Sequence, residues 1–434
     1  MTGPVPGRTL VADLGSRAGA RVRVCGWAEE IRASGEGSIV VLRDHTGAAH
    51  LVSERGGPGE EVARALRPGS AIDVLGTVQG APGDGMRVAL ERLDVAGPAL
   101  GPLPIGEHSP REQRMDWRYV DLRRPRNRLI FEVQTTAEQA MREVWHEEGF
   151  IELHSPKLRP IPNKSGMQLF SVPYFDRRAY LAQSPQFEKQ MAMAAGLDRV
   201  FEIGPVFRPQ PDPTSRHDTE FTSVDVEMSW IDSHEDLLAF EEAMLCRVIA
   251  ATQAAHGRDV ERWFGAELRV PSTPFPRLTL AEAKEIVAAG GFDAGPPAED
   301  LDPEGERRLA EHVAREHGHE FVFITDYPEP SRPFYHMRCE PDSVETRSFD
   351  LLWKGLEITS GAQREHRHDR LMGQARARGV PVELIAYYLD FFKFGCPPHG
   401  GFGLGLTRTL MSMLAVDDVR EVTYLFRGPD RLMP

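Results

Sequence analysis

An α+β protein of two domains is predicted by three observations on the 434-residue chain. Residues from about 9 to 97 alternate short β-like runs with Gly-rich turns. A Gly/Pro-rich connector then runs from Gly97-Pro98 to Pro104. From about 110 onward the pattern changes to long amphipathic helices mixed with strands. The length, about three times the roughly 150-residue domain prior, agrees with more than one domain.

The runs Arg21–Trp27, Ser38–Arg43, Ala48–Val52, Ala71–Val78 and Met86–Leu93 have strand composition, with a helical patch at Glu60–Leu66. Five short strands of this kind suggest a small barrel of the OB type over residues 1–105, with a linker at about 97–125. The second domain, 106–434, carries helices at Leu129–Glu148 and Ser233–His256. Its strands are expected at Arg199–Ile203, Thr222–Trp230 and Leu356–Thr359. The stretch at about 260–345, with Pro296-Pro297, reads as a peripheral insertion.

Composition excludes several classes. Charged residues at 27% and hydrophobic residues at 41% are ordinary for a globular chain, and no apolar run is long enough to span a bilayer. The start, Met1-Thr2-Gly3-Pro4, lacks the basic and apolar regions of a signal peptide. Cys25, Cys246, Cys339 and Cys396 are scattered, as expected of reduced cytoplasmic thiols. The net charge of −14 disfavours a non-specific DNA binder. Only six lysines occur against 45 arginines, so each lysine stands out.

Three segments carry chemistry. In the first, Phe207-Arg208, a Pro-rich loop, Arg216-His217 and Glu220-Phe221 lie between two strands. A strand–loop–strand hairpin would gather the guanidinium forks over phosphate oxygens, with Phe221 against a flat base. The second runs from Asp350 through Glu357 and Ser360 to Arg364, where three hard oxygen donors suit Mg²⁺ shared with nucleotide phosphates. The third, His399-Gly400-Gly401-Phe402-Gly403-Leu404-Gly405-Leu406-Thr407-Arg408, has no Rossmann unit around it. Its glycines would let a ligand lie against bare strand backbone, with Arg408 at the mouth. Taken singly, each segment also reads as solvated arginines or exposed acids on a strand.

Together and in this order, the three segments resemble the motifs of class II aminoacyl-tRNA synthetases, and the chain is similar nearly end to end to the compact archaeal type of the aspartate-specific family. The resemblance includes Gly26-Trp27 and Leu42-Arg43-Asp44 in the barrel, Ser155-Pro156-Lys157, and Gln183-Ser184-Pro185-Gln186-Phe187-Glu188-Lys189-Gln190. It implies an anticodon-binding barrel and a catalytic domain built on an antiparallel sheet flanked by helices. It further implies a homodimer formed through the motif at Pro156, ATP and aspartate as substrates, and tRNA as partner. Arg208 would hold the α-phosphate and the reacting carboxylate, Phe221 and Arg408 would sandwich adenine, and Arg216, His217 and Gly405 would complete the ATP site. Asp350, Glu357 and Ser360 would hold Mg²⁺. Lys189 and Arg364 would take the side-chain carboxylate, and Gln186 and Asp225 the ammonium. Two fixed cations favour aspartate over asparagine, because a neutral amide leaves them uncompensated.

Departures from the family pattern leave alternatives open. Lys164 aligns where relatives carry a glutamate that closes over the substrate ammonium, and Thr407 aligns with an acid. Pro209-Gln210-Pro211-Asp212-Pro213 replaces an acidic loop. In the barrel, Ile39 aligns with a base-stacking aromatic and His50 with an anticodon-reading glutamine; stacking is worth about 1–3 kcal/mol per base. The alternatives are a paralogue that adenylates aspartate or an aspartate-like acid with altered acceptor use, and a non-catalytic synthetase-like binding protein.

Overall fold

A computed structural model describes residues 6–80, 87–160, 169–211 and 214–433. The chain divides into two compact units, Met1–Arg128 and Leu129–Pro434.

In the first unit, strands β1 (Arg21–Ser34), β2 (Gly37–Arg43), β3 (Ala48–Glu54), β4 (Ala71–Gln79) and β5 (Arg87–Gly97) close into a barrel in the order β1-β2-β3-β5-β4. The β3–β5 pair is parallel and the other pairs are antiparallel. Alternation places Val22, Val24, Val40, Leu42, Leu51 and Val74 inside, and the helix Glu60–Ala65 adds Ala63 to the same core. β1 and β5 run several residues beyond their expected spans, because pairing continues into segments whose outward positions are polar, and the other three differ by one or two residues. Asp44 fixes one end, accepting from the N–H groups of Val11 at 2.9 Å and Thr46 at 2.7 Å. Ile39 on β2 is 38% exposed, and His50 on β3 is also exposed.

In the second unit, the short strands β6 (Ile151–Glu152), β7 (Leu158–Arg159), β8 (Ser171–Tyr174) and β9 (Arg177–Leu181) come first. They are followed by β10 (Arg199–Phe207), β11 (Glu220–Ser229), β12 (Arg277–Thr279), β13 (Phe321–Thr325), β14 (Ser348–Trp353), β15 (Leu356–Gln363) and β16 (His399–Gly405). Eight of them form one sheet, β12-β13-β14-β15-β16-β11-β10-β6, and three form a small sheet, β7-β9-β8. The six central strands of the large sheet are antiparallel, as the resemblance implies; β6 and β12 pair in parallel at its two edges. The segment expected as a peripheral insertion supplies β12 and β13 at one edge, with a core of its own around Leu280, Leu309 and Val313.

The period of two decides which face becomes the site. On β11, Val224, Val226 and Met228 join the main core with Phe402 and Leu404 of β16. The helices Pro125–Glu147 and Glu235–Phe264 bury Ile130, Met141, Trp145, Leu245 and Ile249 in that same core. The alternate positions Ser223, Asp225 and Glu227 face the other way, paired with Gly405, Gly403 and Gly401.

A buried carboxyl on the second long helix titrates. Glu241, on the helix Glu235–Phe264, is wholly buried, and burial, followed by the charges of Glu242 and Asp350, pushes its carboxyl up to about 8. The folded state therefore binds this proton more tightly than the unfolded chain, whose glutamate titrates near about 4.3. Stability from this group falls as pH rises from about 4.3 to about 8 and then levels. Glu241→Gln is expected to flatten that part of the stability–pH curve and to stabilise the protein most above pH 8. Denaturant unfolding of both proteins at pH 5 and pH 8.5 checks this; an equal difference at both pH values refutes it.

Candidate active site

A cleft of about 920 Å³ opens on the polar face of the large sheet. Among the described residues, seven arginines line it against three carboxylates, Asp218, Asp225 and Glu357. This concentration lies in a unit that is otherwise acidic, since residues 106–434 carry 40 Lys and Arg against 53 Asp and Glu. Five of the seven are already paired with carboxylates outside the lining, Arg159 with Glu188, Arg216 with Glu306, Arg332 with Asp350, Arg364 with Glu227 and Arg378 with Glu329, so the positive charge left to meet an anion centres on Arg208 and Arg408.

The expected hairpin is present. Arg208 follows β10, and its backbone N–H donates to the Thr219 carbonyl at 2.9 Å across the loop. Its guanidinium lies 5.1 Å from the centre of the Phe221 ring and makes one long hydrogen bond, 3.4 Å, to the Gln183 carbonyl. Enclosure by the cleft walls, then the charge of Arg408, lower its pKa from the ordinary arginine value. Arg408, one turn into the helix Leu406–Leu414, donates to the Glu357 carbonyl at 2.9 Å and to His217 Nε2 at 3.0 Å. A guanidinium only donates, so Nε2 is the unprotonated nitrogen, and Nδ1–H reaches Thr214 Oγ1 at 2.7 Å. Burial, then Arg408, Arg208 and Arg216, press the His217 pKa down to about 4, so the ring is neutral at pH 7. Arg216 is turned to Glu306 at 2.7 Å, on the helix Pro303–His317.

The oxygen-donor set is split. Asp350 stands opposite Ser360 across β14 and β15, and both are engaged by Arg332. Arg332 Nη1 lies 3.1 Å from Asp350 Oδ1 and 3.3 Å from Ser360 Oγ, and its guanidinium stacks 3.5 Å from the Tyr327 ring centre. Asp350 is buried behind the cleft wall, whereas Glu357 and Ser360 line it. Of the three expected donors, Glu357 and Ser360 are therefore brought together on the cleft wall, and Asp350 is held apart by Arg332. Burial, then Asp350, push the Glu357 carboxyl up to about 7, the mark of a carboxylate short of positive charge. Among the described residues no group of three or more His, Cys, Asp or Glu is arranged to hold a metal ion. Two hard donors on the cleft wall nevertheless fit Mg²⁺, which commonly takes one or two protein ligands and completes its shell with substrate phosphate and water.

At the other end of the cleft, Arg364 is 3% exposed. It donates through Nε to Glu227 Oε1 at 3.0 Å, through Nη2 to the Gly401 carbonyl at 2.8 Å, and through Nη1 to His336 Nε2 at 3.1 Å. Lys189 Nζ lies 2.9 Å from Asp225 Oδ1 and 3.4 Å from Glu227 Oε2, and also donates to the Val226 and Phe402 carbonyls. Burial alone would raise the Glu227 carboxyl, but Arg364 and then Lys189 hold it below its usual value. Asp225 accepts from Ser223 Oγ at 2.6 Å, and Gln186 donates to Gln190 at 3.2 Å. Gln186, Asp225 and Arg364 line the cleft, while Lys189 is held behind Asp225.

The glycine run has two uses. A Cβ at Gly401 would collide with the Val226 carbonyl and the Glu227 carboxylate, so that glycine makes room for Glu227 rather than for a ligand. At Gly403 a Cβ would meet only Asp225 Oδ1, at 3.4 Å, and Gly403 and Gly405 line the cleft as expected. Lys164 falls outside the described residues, as do Asp212 and Pro213.

This arrangement, an arginine over the Phe221 ring beside a pocket of paired acids and bases on an antiparallel sheet, coincides with a match of residues 110–427 to the model of tRNA synthetases class II (D, K and N). The chain belongs to that family. A similar curated relative is the aspartate–tRNA(Asp/Asn) ligase of Aeropyrum pernix, 41% identical over 98% of both chains. Another is the aspartate–tRNA(Asp) ligase of Pyrococcus abyssi, 38% identical over 96% of this chain and 97% of that one. Among solved structures, asparaginyl-tRNA synthetase from Pyrococcus horikoshii with asparaginyl-adenylate superposes with a TM-score of 0.90 at 29% identity, covering 99% of this synthetase and all of that chain. A fold shared with an asparagine enzyme leaves the choice of amino acid to the pocket.

Sequence reasoning missed Glu227, Arg332 and His336. Glu227 was signalled by its two-residue spacing from Asp225 on a strand. Arg332 and His336 lie on irregular backbone, where no periodicity points to a partner.

Proposed function

We propose that this synthetase activates aspartate with ATP and joins it to tRNA. The observation that carries the reading is Arg364, fixed by Glu227 and the Gly401 carbonyl with its guanidinium on the cleft wall. A side-chain carboxylate there gains a charge-assisted contact that an amide cannot match. Relatives spanning nearly the whole chain and named aspartate–tRNA ligases support it.

In the reaction, a carboxylate oxygen of aspartate attacks the α-phosphorus in line. The new O–P bond forms as the bond to pyrophosphate breaks. Arg208 gathers the reacting carboxylate and the α-phosphate, so its charge acts where negative charge spreads in the transition state. Phe221 and Arg408 hold the purine between them, and neutral His217 orients Arg408. Glu357 and Ser360 would hold Mg²⁺, which when bound neutralises phosphate charge. Asp225 and Gln186 receive the ammonium. In a second step a ribose hydroxyl of tRNA attacks the acyl carbon and adenylate leaves. The protein acts in the cytoplasm as a homodimer, through the face carrying β6 and Pro156, where Ile151 and Leu158 are exposed. Lys157 and Ser155 anchor that motif on Glu202 at 2.7 and 2.6 Å.

Two assays test the reading: aspartate-dependent exchange of pyrophosphate into ATP, then charging of bulk tRNA. Exchange without charging favours the paralogue; no exchange with aspartate or a related diacid favours the binding protein. Ile39→Phe on β2 is expected to tighten tRNA binding about tenfold, since an aromatic ring there would stack on a base. An unchanged dissociation constant removes Ile39 from the tRNA surface.

A further inference from the structure

A second cavity, of about 500 Å³, lies beyond the end of β15, lined by Arg338, Arg347, Arg367 and Arg370 against Glu340 and Glu365, with one side of the helix His368–Ala377 as its wall. Four arginines against two glutamates make a positive cavity in a unit of net negative charge. The glutamates do not cancel them. Arg367 is matched by Glu365 at 2.6 Å, but the others lack a full carboxylate partner. Arg347 donates to the neutral amide of Gln363 at 2.9 Å. Arg338 stands 3.8 Å from Glu329, whose nearer partner is Arg378 at 2.7 Å, and Arg338 Nε is buried with no hydrogen-bond acceptor. Arg370 makes no ion pair among the described residues and is exposed to solvent. Like charges gathered around a concavity repel one another, and a buried guanidinium N–H without an acceptor is unfavourable. Such an arrangement gains most from an oxyanion that several guanidinium forks can share.

We infer that this cavity is an anion site for a phosphate-bearing ligand, separate from the catalytic cleft. Its volume lies within the range of about 300–1,000 Å³ typical of small-molecule sites. It also touches the catalytic unit at a sensitive point. Gln363 and Glu365, partners of Arg347 and Arg367, flank Arg364 in sequence, and the Glu365 N–H donates to the Tyr335 carbonyl at 2.9 Å, next to His336. An anion drawing Arg347 and Arg367 toward itself would act on the strand end that positions Arg364. The phosphate has two possible sources: a free polyphosphate, or the backbone of the tRNA that the proposed function requires.

Titration calorimetry with inorganic pyrophosphate is the test, using the full chain carrying Arg208→Ala and Arg408→Ala so that the cleft contributes least. One saturable site is expected to remain, and adding Arg338→Ala and Arg370→Ala should weaken it at least tenfold. Arg370→Ala alone, at an exposed position, keeps the test valid if the Arg338 change lowers stability. A parallel arm measures tRNA binding against salt in otherwise wild-type protein. If pyrophosphate does not bind but the slope of log affinity against log salt falls by about 0.7–0.9 for each arginine removed, the phosphate is that of the tRNA backbone. Absence of pyrophosphate binding together with unchanged tRNA affinity overturns the anion site. Failure of the aspartate reading would leave the pyrophosphate arm unaffected.

Discussion

Arg208→Ala should reduce aspartate-dependent pyrophosphate exchange by about 10²–10³-fold while leaving the fold intact. A preorganised donor aimed at developing charge in an enclosed site is worth about 2.7–4 kcal/mol in the transition state. Arg208 lines the cleft beside the Phe221 ring at 5.1 Å and is exposed to it, so it reaches such a setting once substrate fills the cleft. Little else depends on it. Among the described residues its one side-chain hydrogen bond is long, and the charge that acts on it most strongly is another cation, Arg408. Truncation therefore removes a mutual repulsion along with a weak contact, and the change in stability should stay within about 0.5 kcal/mol. Arg208→Lys keeps the charge but loses the fork that spans two oxygens, so it should recover only part of the rate. Exchange kinetics and thermal melting together decide the matter. A loss below tenfold, or a melting temperature that falls in step with activity, would show that Arg208 serves the fold and not the reaction.

The parts of the site that were legible in the sequence share a physical cause. Phe221, Asp225, Gly403 and Gly405 sit on paired strands and Arg208 directly follows one, so a period of two and a short loop fix which side chains converge. Long helices were legible for the same reason, since Leu129–Glu148 and Ser233–His256 carry a clear apolar period and differ from the structure mainly at their ends. Charge compensation was not legible. That Asp350 would be held by Arg332, or that Arg364 and Lys189 would share Glu227, depends on contacts between segments far apart in the chain. The insertion shows this best. Its composition suggested a bystander, yet it supplies Glu306 to Arg216 and Arg332 to Asp350. The net charge of −14 is silent on the site for the same reason, because a sum over the chain does not locate the seven arginines that line one cleft.

Arg364→Ala should abolish aspartate activation and also destabilise the protein, and a second substitution should separate the two effects. Glu227 is fully buried, and Arg364 is its principal partner, at 3.0 and 3.3 Å, with Lys189 at 3.4 Å as the lesser one. Removing one member of a buried pair leaves an uncompensated charge and typically costs about 3–5 kcal/mol, more than the pair itself contributes. Glu227→Gln in the Arg364→Ala background removes that charge, so most of the lost stability should return. Activation should not return, because the substrate carboxylate still finds no guanidinium. ATP binding should persist in both variants, since Arg208, Phe221 and Arg408 belong to the other end of the cleft. The measurements are denaturant unfolding, ATP binding by calorimetry, and aspartate-dependent exchange for the two single variants and the double. Recovery of exchange in the double variant would mean that Arg364 acts only by neutralising Glu227. Equal instability of Arg364→Ala and the double variant would mean that the uncompensated charge is not what unfolds it. Restored stability without restored exchange would establish the dual role: Glu227 holds Arg364 in place, and Arg364 reads the acid.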